Sequence, residues 1–590
     1  MPVALDPAAE YGTGCVDFLA YSPQIRSWIA CGWVGLTWED SDERSKCLLM
    51  FDNAEQTAEA VICLFPRADV KKFGFGFVMF IEAPRGRNEL MGLVLHGPRA
   101  SFRLGISSGT ERISEADAIN RVRAELGRAP RSDRRARLLK LLSRSAFAGH
   151  DTLDALPQPV FLEVDVAYLC PPDGIFLKGW FADPFRQAAA VRLRCGGRSE
   201  LVERDHWIEI SRPDVVAALL KTTGFSNERC GFATFVPNIY APGETCYFEV
   251  ETWEGEIGFK KLQPPRAGGT PAIKNILAEF DLRYEALSHG FDHVIGPAVA
   301  ALDVGRLGSP PNVTELVFGE PPDSVRCSII VPLYGRIDFM EYQLAFFERT
   351  LASDVELIYV LDDPTLIRAV GGLASSCLAR FRRPFRVLTY KTNLGYAPAN
   401  NIGLRFARGE YVCFLNSDIF PKEPRWLEFM LAAAAADPAI GVLGALLLFE
   451  DESVQHEGMS FEHLPEFGNW IFCNHPRKGL APREGETVSR VPAVTGACML
   501  LRTELARALG GFDEGYVIGD FEDADLCLKA AARGLACAVD HRAQLYHLER
   551  QSQGGYQGSW RQNLTLYNAW RFQQLWRPTL EAIVRQGVAR

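Results

Sequence analysis

The segment VRCSIIVPLY, residues 325–334, is a continuous apolar run that ends at a proline and a tyrosine. Such a run is typical of a strand that is buried on both faces of a sheet. The segments VELIYVLDD (355–363) and GEYVCFLNSD (409–418) repeat the pattern, with helical sequence between them. Strands that alternate with helices predict an α/β domain with a mostly parallel sheet. Ligands of such sheets bind at the carboxyl ends of the strands, where Asp362, Asp363 and Asp418 stand.

Length and composition bound the rest of the chain. Its 590 residues exceed what one core holds, so about three or four domains are expected. Apolar residues make up 47% and charged residues 23%, which is ordinary for globular proteins. The net charge of −10 argues against a nucleic-acid-binding protein, because such proteins usually carry a basic excess.

An internal repeat organises the first 265 residues or so. DFLAYSPQIRSWIACGW (17–33) matches DVAYLCPPDGIFLKGW (165–180), with the same Tyr-to-Trp spacing. Each copy continues with an Arg-x-Asp-Val and a Gly-Phe-rich strand, at 67–70 and 74–80 in the first copy and at 212–215 and 231–236 in the second. Short alternating apolar runs between turn residues predict a β-sandwich in each copy.

Helical, charged sequence follows each copy. The first such segment contains RSDRRARLLKLLSR (131–144), which suits a solvated linker helix or, alternatively, a helix on an anionic membrane surface. We therefore expect β-sandwich-like repeats at 10–108 and 158–266, a helical basic linker at 109–157, a helical segment and linker at 267–322, the α/β domain at 323–550 and a helical tail at 551–590.

The N-terminal sequence lacks the basic start and apolar run of a secretory signal, and the longest apolar run, 439–449, is too short to span a bilayer. A cytoplasmic protein is the expectation, with peripheral contact at the inner face of the membrane as an alternative. The 15 scattered cysteines are expected to be reduced, without a zinc site. The sequence leaves the oligomeric state open.

Seven motifs follow one another after residue 325, and their order resembles that of family 2 glycosyltransferases of the GT-A fold, in particular the bacterial rhamnosyltransferase-like branch. They are SIIVPLY, LDD, NLGYAPANNIGL (393–404), FLNSD (414–418), VTGACMLLR (494–502), GGFDEGYVIGDFEDADLCLKAAARG (510–534) and HLERQS (547–552). The resemblance covers about 323–550 and not the N-terminal half. It implies inverting transfer of a sugar from a UDP-, dTDP- or GDP-sugar to a glycan or lipid-linked glycan acceptor.

The resemblance also assigns a metal site. Its Asp-x-Asp motif corresponds to Asn416-Ser417-Asp418, in which the first carboxylate is an amide. Asp418 is then the ligand of Mg²⁺ or Mn²⁺, which prefer hard oxygen ligands, and His547 supplies a second ligand. Asn416 is expected at the ribose or phosphate. Whether a metal is strictly required is left open by the missing carboxylate.

The nucleotide pocket follows from the same strand ends. Asp362 or Asp363 is expected to meet the base, while the other caps the next helix. Pro332 and Tyr334 wall the pocket. The stretch that contains Asn393, Gly395 and Asn401 is expected to close over the ribose and phosphates, with the glycine permitting close backbone approach.

The acidic pair Glu522-Asp523 carries the expected chemistry. An inverting transfer needs a base that takes the proton of the attacking acceptor hydroxyl, and the resemblance places it at Asp523, with Glu522 orienting it or binding the acceptor. Acceptor contacts are expected from His456, Trp470, Thr495 and Gly496. His456, His463 and His475 invite a zinc interpretation, which their irregular spacing disfavours.

Two other functions remain open from the sequence. A glycan-binding or scaffolding protein with a degenerate transferase domain is favoured by Asn416 and opposed by the intact Glu522-Asp523. A nucleotidyltransferase would need a basic phosphate-gripping loop early in the domain, and residues 332–335, PLYG, do not form one.

Overall fold

The structure is a computed structural model that describes residues 11–588 with the exception of 13, 23–26, 36–44, 52–53, 68, 71–73, 83–89, 97–100, 107–108, 131, 145–146, 157, 254–255, 279, 281–286, 309, 484 and 549–558. The chain divides into two compact units. One comprises residues up to 167 together with 177–266, and the other comprises 168–176 together with 267 onward.

The first module is one sheet. Its strands are β1 (Tyr11–Gly12), β2 (Gly14–Ser22), β3 (Ser27–Gly35), β4 (Ser45–Phe51), β5 (Ala54–Phe65), β6 (Gly74–Glu82), β7 (Leu90–His96), β8 (Ser101–Gly105) and β9 (Glu111–Arg112). Within the described residues they form nine strands in the order β1-β8-β7-β4-β5-β6-β3-β2-β9, and β8 also pairs with β2. That pairing joins Cys15 to Gly105 and curls the sheet back on itself.

The closed sheet corrects the expected sandwich for the first copy, which requires two packed sheets. Alternating apolar residues bury one face of a strand in a barrel as well as in a sandwich, so the pattern does not distinguish the two.

Two helices, α1 (Glu115–Arg128) and α2 (Asp133–Arg144), cover the outside of this sheet. Val122, Leu126 and Leu138 are buried in one cluster with Phe80 of β6. The apolar face of the basic segment therefore packs against the sheet, and the helices belong to the first module instead of forming a linker.

The second module contains two sheets. Its elements are β10 (Phe161–Cys170), β11 (Gly174–Ala182), β12 (Ala188–Cys195), β13 (Arg198–Leu201), β14 (Ile208–Ile210), α3 (Pro213–Thr223), β15 (Gly231–Val236), β16 (Cys246–Thr252) and β17 (Ile257–Lys261). Among the described residues each sheet has four strands, in the orders β10-β11-β15-β14 and β13-β12-β16-β17. Cys195 and Cys246 face each other across β12 and β16 and form a disulfide, which corrects the expectation that all cysteines are reduced.

The repeat seen in the sequence has a matching ion-pair triad in both copies. Arg67 contacts Asp17 and Asp69 in the first copy. In the second copy, Arg212 lies 2.7 Å from Asp165 and 2.8 Å from Asp214. The Arg-x-Asp motif of each copy thus binds the aspartate that begins the first repeated segment.

A tightly packed glycine recurs at the same place in both copies. A Cβ at Gly32 would lie 2.0 Å from the carbonyl oxygen of Cys15, and a Cβ at Gly179 would lie 2.0 Å from that of Glu163. In both copies the neighbouring strand approaches too closely for any side chain, so the shared sequence encodes a shared backbone contact.

We expect Gly179→Ala to destabilise the second module by about 1–3 kcal/mol, because the added methyl group overlaps backbone that cannot rotate away. Gly197→Ala is the matched control, since a Cβ there meets nothing within 4 Å. Thermal unfolding of the full-length variants measures the difference. Equal midpoints for the two variants would contradict the close approach.

The third domain confirms the α/β prediction. Its strands are β18 (Thr314–Phe318), β19 (Cys327–Leu333), β20 (Val355–Leu361), β21 (Phe385–Thr389), β22 (Tyr411–Leu415), β23 (Ile419–Pro421), β24 (Ile440–Leu448), β25 (Val454–His456), β26 (Ser460–Leu464), β27 (Trp470–Asn474), β28 (Val488–Val491), β29 (Cys498–Arg502) and β30 (Ala536–His547). Its helices, with those that precede it, are α4 (Thr270–Ala278), α5 (Leu287–Gly290), α6 (Gly296–Leu307), α7 (Phe339–Thr350), α8 (Ile367–Phe381), α9 (Tyr396–Phe406), α10 (Trp426–Ala436), α11 (Thr503–Ala508), α12 (Glu522–Ala531) and α13 (Ser559–Val588).

The main sheet has the path β18-β21-β20-β19-β22-β29-β24-β30-β23. The run β21-β20-β19-β22 is parallel, whereas β22 and β29 pair antiparallel. Every residue of β20 is buried, as its apolar sequence predicts for a central strand. The carboxyl ends of β20, β19 and β22 therefore meet at one edge. No helix in the described part of the chain is long and apolar enough to cross a membrane.

Candidate active site

Asp362 follows β20 and holds the loop that contains Gly395 in place. Its carboxylate accepts hydrogen bonds from the backbone N–H groups of Leu394 and Gly395, at 2.8 and 2.7 Å, and from the Tyr390 hydroxyl at 2.8 Å. The side chain is buried. Three donors on a buried carboxylate fix the loop backbone, so the structure gives Asp362 a positioning contact that the sequence did not reveal.

Asp363 caps the short 3-10 helix Pro364–Leu366. It accepts hydrogen bonds from the backbone N–H of Thr365 at 3.0 Å and from its hydroxyl at 2.6 Å. This is the capping role expected for one of the two aspartates. Of the other predicted pocket residues, Tyr334 and Asn393 are exposed and Pro332 is partly buried.

Asn401 binds protein instead of facing the pocket. Its amide donates to the carbonyl of Phe512 at 2.8 Å and to Glu514 at 2.9 Å, and its oxygen accepts from the N–H of Phe512 at 2.9 Å. The predicted contact of Asn401 with ribose or phosphate is therefore replaced by a contact that anchors the loop leading to the acidic pair.

Asp418 and His547 stand side by side at the edge of the sheet. Nε2 of His547 lies 3.4 Å from Oδ1 of Asp418, because β23 and β30 pair Ile419 with His547. Two ligands at right angles on an ion, each about 2.1 Å from it, would lie about 3 Å apart. The pair therefore has the spacing of two ligands of one divalent ion.

Gln455 sets the tautomer of His547. Its amide N–H donates to the backbone carbonyl of His547 at 3.0 Å, so its oxygen faces Nδ1 of the ring at 2.5 Å. Nδ1 then carries the proton, and the lone pair of Nε2 points to the side of Asp418. A buried partner of this kind is what orients a metal-binding histidine.

Asn416 completes the strand end with an unpaired atom. Its N–H donates to the carbonyl of Ala497 at 2.9 Å, whereas its side-chain Oδ1 is buried without a hydrogen-bond partner. Ser417 is partly exposed between Asn416 and Asp418. No group of three or more His, Cys, Asp or Glu residues in the described chain has metal-binding spacing. Asp418 and His547 nevertheless fit a Mg²⁺ or Mn²⁺ that takes its other ligands from phosphate and water.

His456 supports the backbone at Thr495, another of the predicted acceptor contacts. Its Nε2 accepts the N–H of Thr495 at 3.2 Å, so its Nδ1–H faces Nδ1 of His475 at 2.9 Å. Burial lowers the pKa of His456 well below its usual value, with His475 and then His547 as further causes. His456 is thus a neutral, fully engaged side chain that positions Thr495.

Gly496, also a predicted acceptor contact, lies between Thr495 and the acidic pair in the hydrogen-bond network. Its N–H donates to Oδ2 of Asp523 at 2.9 Å, and its carbonyl accepts the Tyr396 hydroxyl at 2.8 Å. A Cβ at Gly496 would lie 3.0 Å from that hydroxyl and 3.3 Å from Cβ of Asp523. Asp523 also accepts the N–H of Ala524 at 2.8 Å and remains partly exposed. An oriented carboxylate that solvent can reach has the position a general base needs.

Comparison with known proteins finds a family match within the third domain. Residues 328–510 match Glycosyl transferase family 2. The family 2 domain so defined ends before Glu522 and Asp523, and the N-terminal half is not part of the match.

Curated relatives agree with that match. The uncharacterized protein y4gI of Sinorhizobium fredii is 31% identical over 244 residues, which are 38% of this chain and 25% of that protein. The O-antigen biosynthesis protein RfbC of Myxococcus xanthus is 30% identical over 230 residues, 38% of this chain and 18% of that protein. The chain thus spans a quarter or less of the length of these two relatives.

A solved structure of GalNAc-T7 with UDP, GalNAc and Mn²⁺ is 17% identical, with a TM-score of 0.35, over 44% of this chain and 50% of that one. The mannosyltransferase PcManGT from Pyrobaculum calidifontis, in complex with GDP-Man and Mn²⁺, has a TM-score of 0.29 at 16% identity, over 54% of this chain and 86% of that one. Both TM-scores are below 0.5, so the α/β architecture of the third domain is assigned from its own strand order and not from these two structures.

Glu522 differs from its neighbour Asp523 in its surroundings. It is buried, and its Oε2 has no hydrogen-bond partner. Burial raises the pKa of Glu522 well above its usual value, and the nearby Asp523 and Asp520 raise it further. The two adjacent carboxyl groups thus have different environments, since Glu522 is buried and Asp523 is partly exposed.

The loop that leads into α12 has an uncommon backbone. Ile518, Asp520 and Phe521 have φ angles of 66°, 104° and 74°, in the left-handed region that favours glycine. Such residues cost about 1–3 kcal/mol each and persist where surrounding contacts hold them. The carbonyl of Ile518 accepts the N–H of Tyr396 at 3.0 Å, which ties this loop to the start of α9.

Trp470 is packed inside the third domain. It is buried, its indole N–H donates to Ser288 at 3.0 Å, and its ring contacts Phe291 edge-on at 5.6 Å. This packing leaves no free ring face for a sugar, so the expectation that Trp470 contacts the acceptor is corrected.

We expect Glu522→Gln to stabilise the protein increasingly as the pH rises. Since the pKa of Glu522 is raised in the folded protein, the unfolded chain ionises first, and stability falls as the pH rises above the ordinary value of 4.5. Glutamine does not ionise, so the variant avoids this loss of stability. Thermal unfolding between about pH 5 and pH 8 measures it. Glu504→Gln, at an exposed position, is the control, and a pH-independent difference for Glu522→Gln would contradict the raised pKa.

Proposed function

We propose that this protein is an inverting glycosyltransferase that moves a sugar from a nucleoside diphosphate to a hydroxyl group of a glycan or lipid-linked glycan. The observation that carries the proposal is Asp523, a partly exposed carboxylate aimed by the N–H of Gly496. The backbone next to Gly496 also binds Asn416, at the strand end that holds Asp418. A base and a diphosphate-binding edge thus share one short stretch of backbone, and the family match supports the same reaction class.

In this proposal Asp523 accepts the proton of the acceptor hydroxyl while the oxygen of that hydroxyl attacks the anomeric carbon of the donor sugar. The new C–O bond forms as the bond from that carbon to the diphosphate breaks, and the electron pair of the broken bond leaves with the diphosphate. Glu522, whose pKa is raised by burial and by its acidic neighbours, orients Asp523 or binds an acceptor hydroxyl. Asp418 and His547 would hold a divalent ion, which offsets the charge of the departing diphosphate.

The proposed donor is a UDP-, dTDP- or GDP-sugar, and hexosyl or deoxyhexosyl transfer both fit the proposal. The name of the Myxococcus relative, an O-antigen biosynthesis protein, supports synthesis of a surface polysaccharide or glycoconjugate. We propose a cytoplasmic location, as suits a nucleotide-sugar donor, with peripheral contact at the membrane for a lipid-linked acceptor.

A glycan-binding or scaffolding protein with a degenerate transferase domain is the second candidate. Asn416 favours it, because an amide replaces a carboxylate where the family has Asp-x-Asp. The unpaired Oδ1 of Asn416 weighs against it, since a buried oxygen without a partner costs free energy unless a ligand engages it.

Asp523→Asn tests the base. With a panel of UDP-, dTDP- and GDP-sugars, Mn²⁺ or Mg²⁺ and mixed glycan acceptors, we expect one donor to be consumed by the wild type. The variant should be slower by about 100- to 10,000-fold, because the amide cannot take the proton. Release of nucleoside diphosphate is the measurement.

Asp451→Asn is the control for that experiment, because it makes the same change at an exposed turn of the same domain. Wild-type rates for Asp523→Asn would remove the base assignment. Absence of both turnover and calorimetric donor binding in the wild type would favour the scaffolding protein.

Asn416→Asp tests the metal site by restoring a carboxylate. We expect the Mn²⁺ concentration for half-maximal turnover to fall by roughly tenfold, because added ligand charge raises affinity for a hard cation. His547→Ala should shift the same titration in the opposite direction. If the wild type, Asn416→Asp and His547→Ala all keep their turnover in the presence of a chelator, the metal site is contradicted.

A further inference from the structure

The helix α13 lies against the loop that leads to the acidic pair. Asn568, near its middle, is fully buried. Its oxygen accepts the N–H of Val517 at 3.0 Å, and its amide donates to the carbonyls of Val517 at 3.1 Å and Gly519 at 2.8 Å. One side chain therefore satisfies three backbone groups around Ile518, which has a left-handed backbone.

Two further side chains of α13 contact the loop and the chain that precedes it. The hydroxyl of Thr565 donates to Asp520 at 2.9 Å, within the loop itself. Arg571 binds both oxygens of Asp513 at 2.9 Å, before the loop.

Trp576, five residues beyond Arg571 in α13, contacts the chain on the other side of the acidic pair. Its indole N–H donates to Asp525 at 2.7 Å, and Asp525 is fully buried. α13 thus contacts the chain before, within and after the left-handed turn, so the start of α12 is held on both sides of Glu522 and Asp523.

The loop has a second neighbour on its other side. Ile518 binds the N–H of Tyr396, and the Tyr396 hydroxyl binds the carbonyl of Gly496. Loss of Asn568 would leave the N–H of Val517 and the carbonyl of Gly519 without this partner, whereas the carbonyl of Val517 would keep the N–H of Gly519 at 2.8 Å. The loop would then relax toward ordinary backbone angles. Phe521 stands directly before Glu522, so that relaxation moves the acidic pair relative to Gly496.

We propose that Asn568 is a positioning residue that holds Asp523 and Glu522 in the geometry for proton transfer, and that α13 belongs to the catalytic unit. The inference rests on the proposed function. It extends that function beyond residues 328–510, the part that matches the family.

Asn568→Ala tests the proposal, with Asn563→Ala as the matched control. Asn563 is a buried asparagine on the same helix, but it donates to the carbonyls of Leu277 and Phe280, both at 2.7 Å, and not to the loop. Both variants lose comparable hydrogen bonds and should unfold at similar temperatures. We expect Asn568→Ala to lower kcat by about 100-fold with a small change in donor KM, because a small displacement of reacting groups is costly. Asn563→Ala should keep the wild-type kcat.

Hydrogen exchange supplies a readout that does not depend on turnover. Amides 517–523 should exchange faster in Asn568→Ala and at the wild-type rate in Asn563→Ala. Thr565→Val, which removes one contact to Asp520 and preserves the shape of the side chain, should change kcat and exchange in the same direction by a smaller factor. It is the second variant should Asn568→Ala fail to fold.

The outcomes separate the two proposals. A wild type that consumes no donor contradicts the proposed function. An active wild type whose Asn568→Ala and Thr565→Val variants match Asn563→Ala in kcat, and leave exchange at 517–523 unchanged, overturns the positioning role alone. Equal loss of kcat in Asn563→Ala would also overturn it, since the effect would then be one of general stability.

Discussion

The backbone of residues 495–497 is the constraint on which the site depends. Its successive polar groups bind side chains or backbone from separate parts of the chain, namely His456, Tyr396, Asp523 and Asn416. Each of these groups would be costly to leave unpaired in a buried site. The stretch can therefore satisfy its hydrogen bonds in one arrangement, and that arrangement brings the acidic pair and the strand end with Asp418 together. A side chain at Gly496 would separate two of its partners.

The sequence predicted the parts of this domain that depend on local pattern. Apolar runs identified β19, β20 and β22. The carboxylates that follow β20 and β22 placed Asp362, Asp363 and Asp418 at one edge, because parallel strands align their carboxyl ends. Motif order gave the family of residues 328–510. The repeated Asp and Arg-x-Asp pattern likewise marked residues that meet as ion pairs in both N-terminal modules.

Properties that depend on long-range partners were not predictable in this way. Asp362 and Asn401 have the residue types of ligand contacts, yet their atoms are taken up by loops distant in sequence. Trp470 has the aromatic side chain that often stacks on a sugar, yet it is buried against Ser288. The first module closes through β2 and β8, a pairing that alternation along single strands does not encode. A buried asparagine such as Asn568 carries no signal in a single sequence, because its importance lies in the backbone it meets.

The position of α13 along the chain has a consequence for biosynthesis. Val517 and Gly519 find their hydrogen-bond partner in Asn568, about fifty residues later in synthesis. A growing chain emerges from the ribosome from its N-terminus, and its domains fold as their residues become available. The sheet and its strand ends can form while the left-handed turn still lacks its support, so the acidic pair is the part of this centre that is completed last. A nascent chain would acquire the strand ends with Asp418 and His547 before the group proposed for proton transfer is held in place, and a product interrupted between residues 548 and 568 would have the former without the latter.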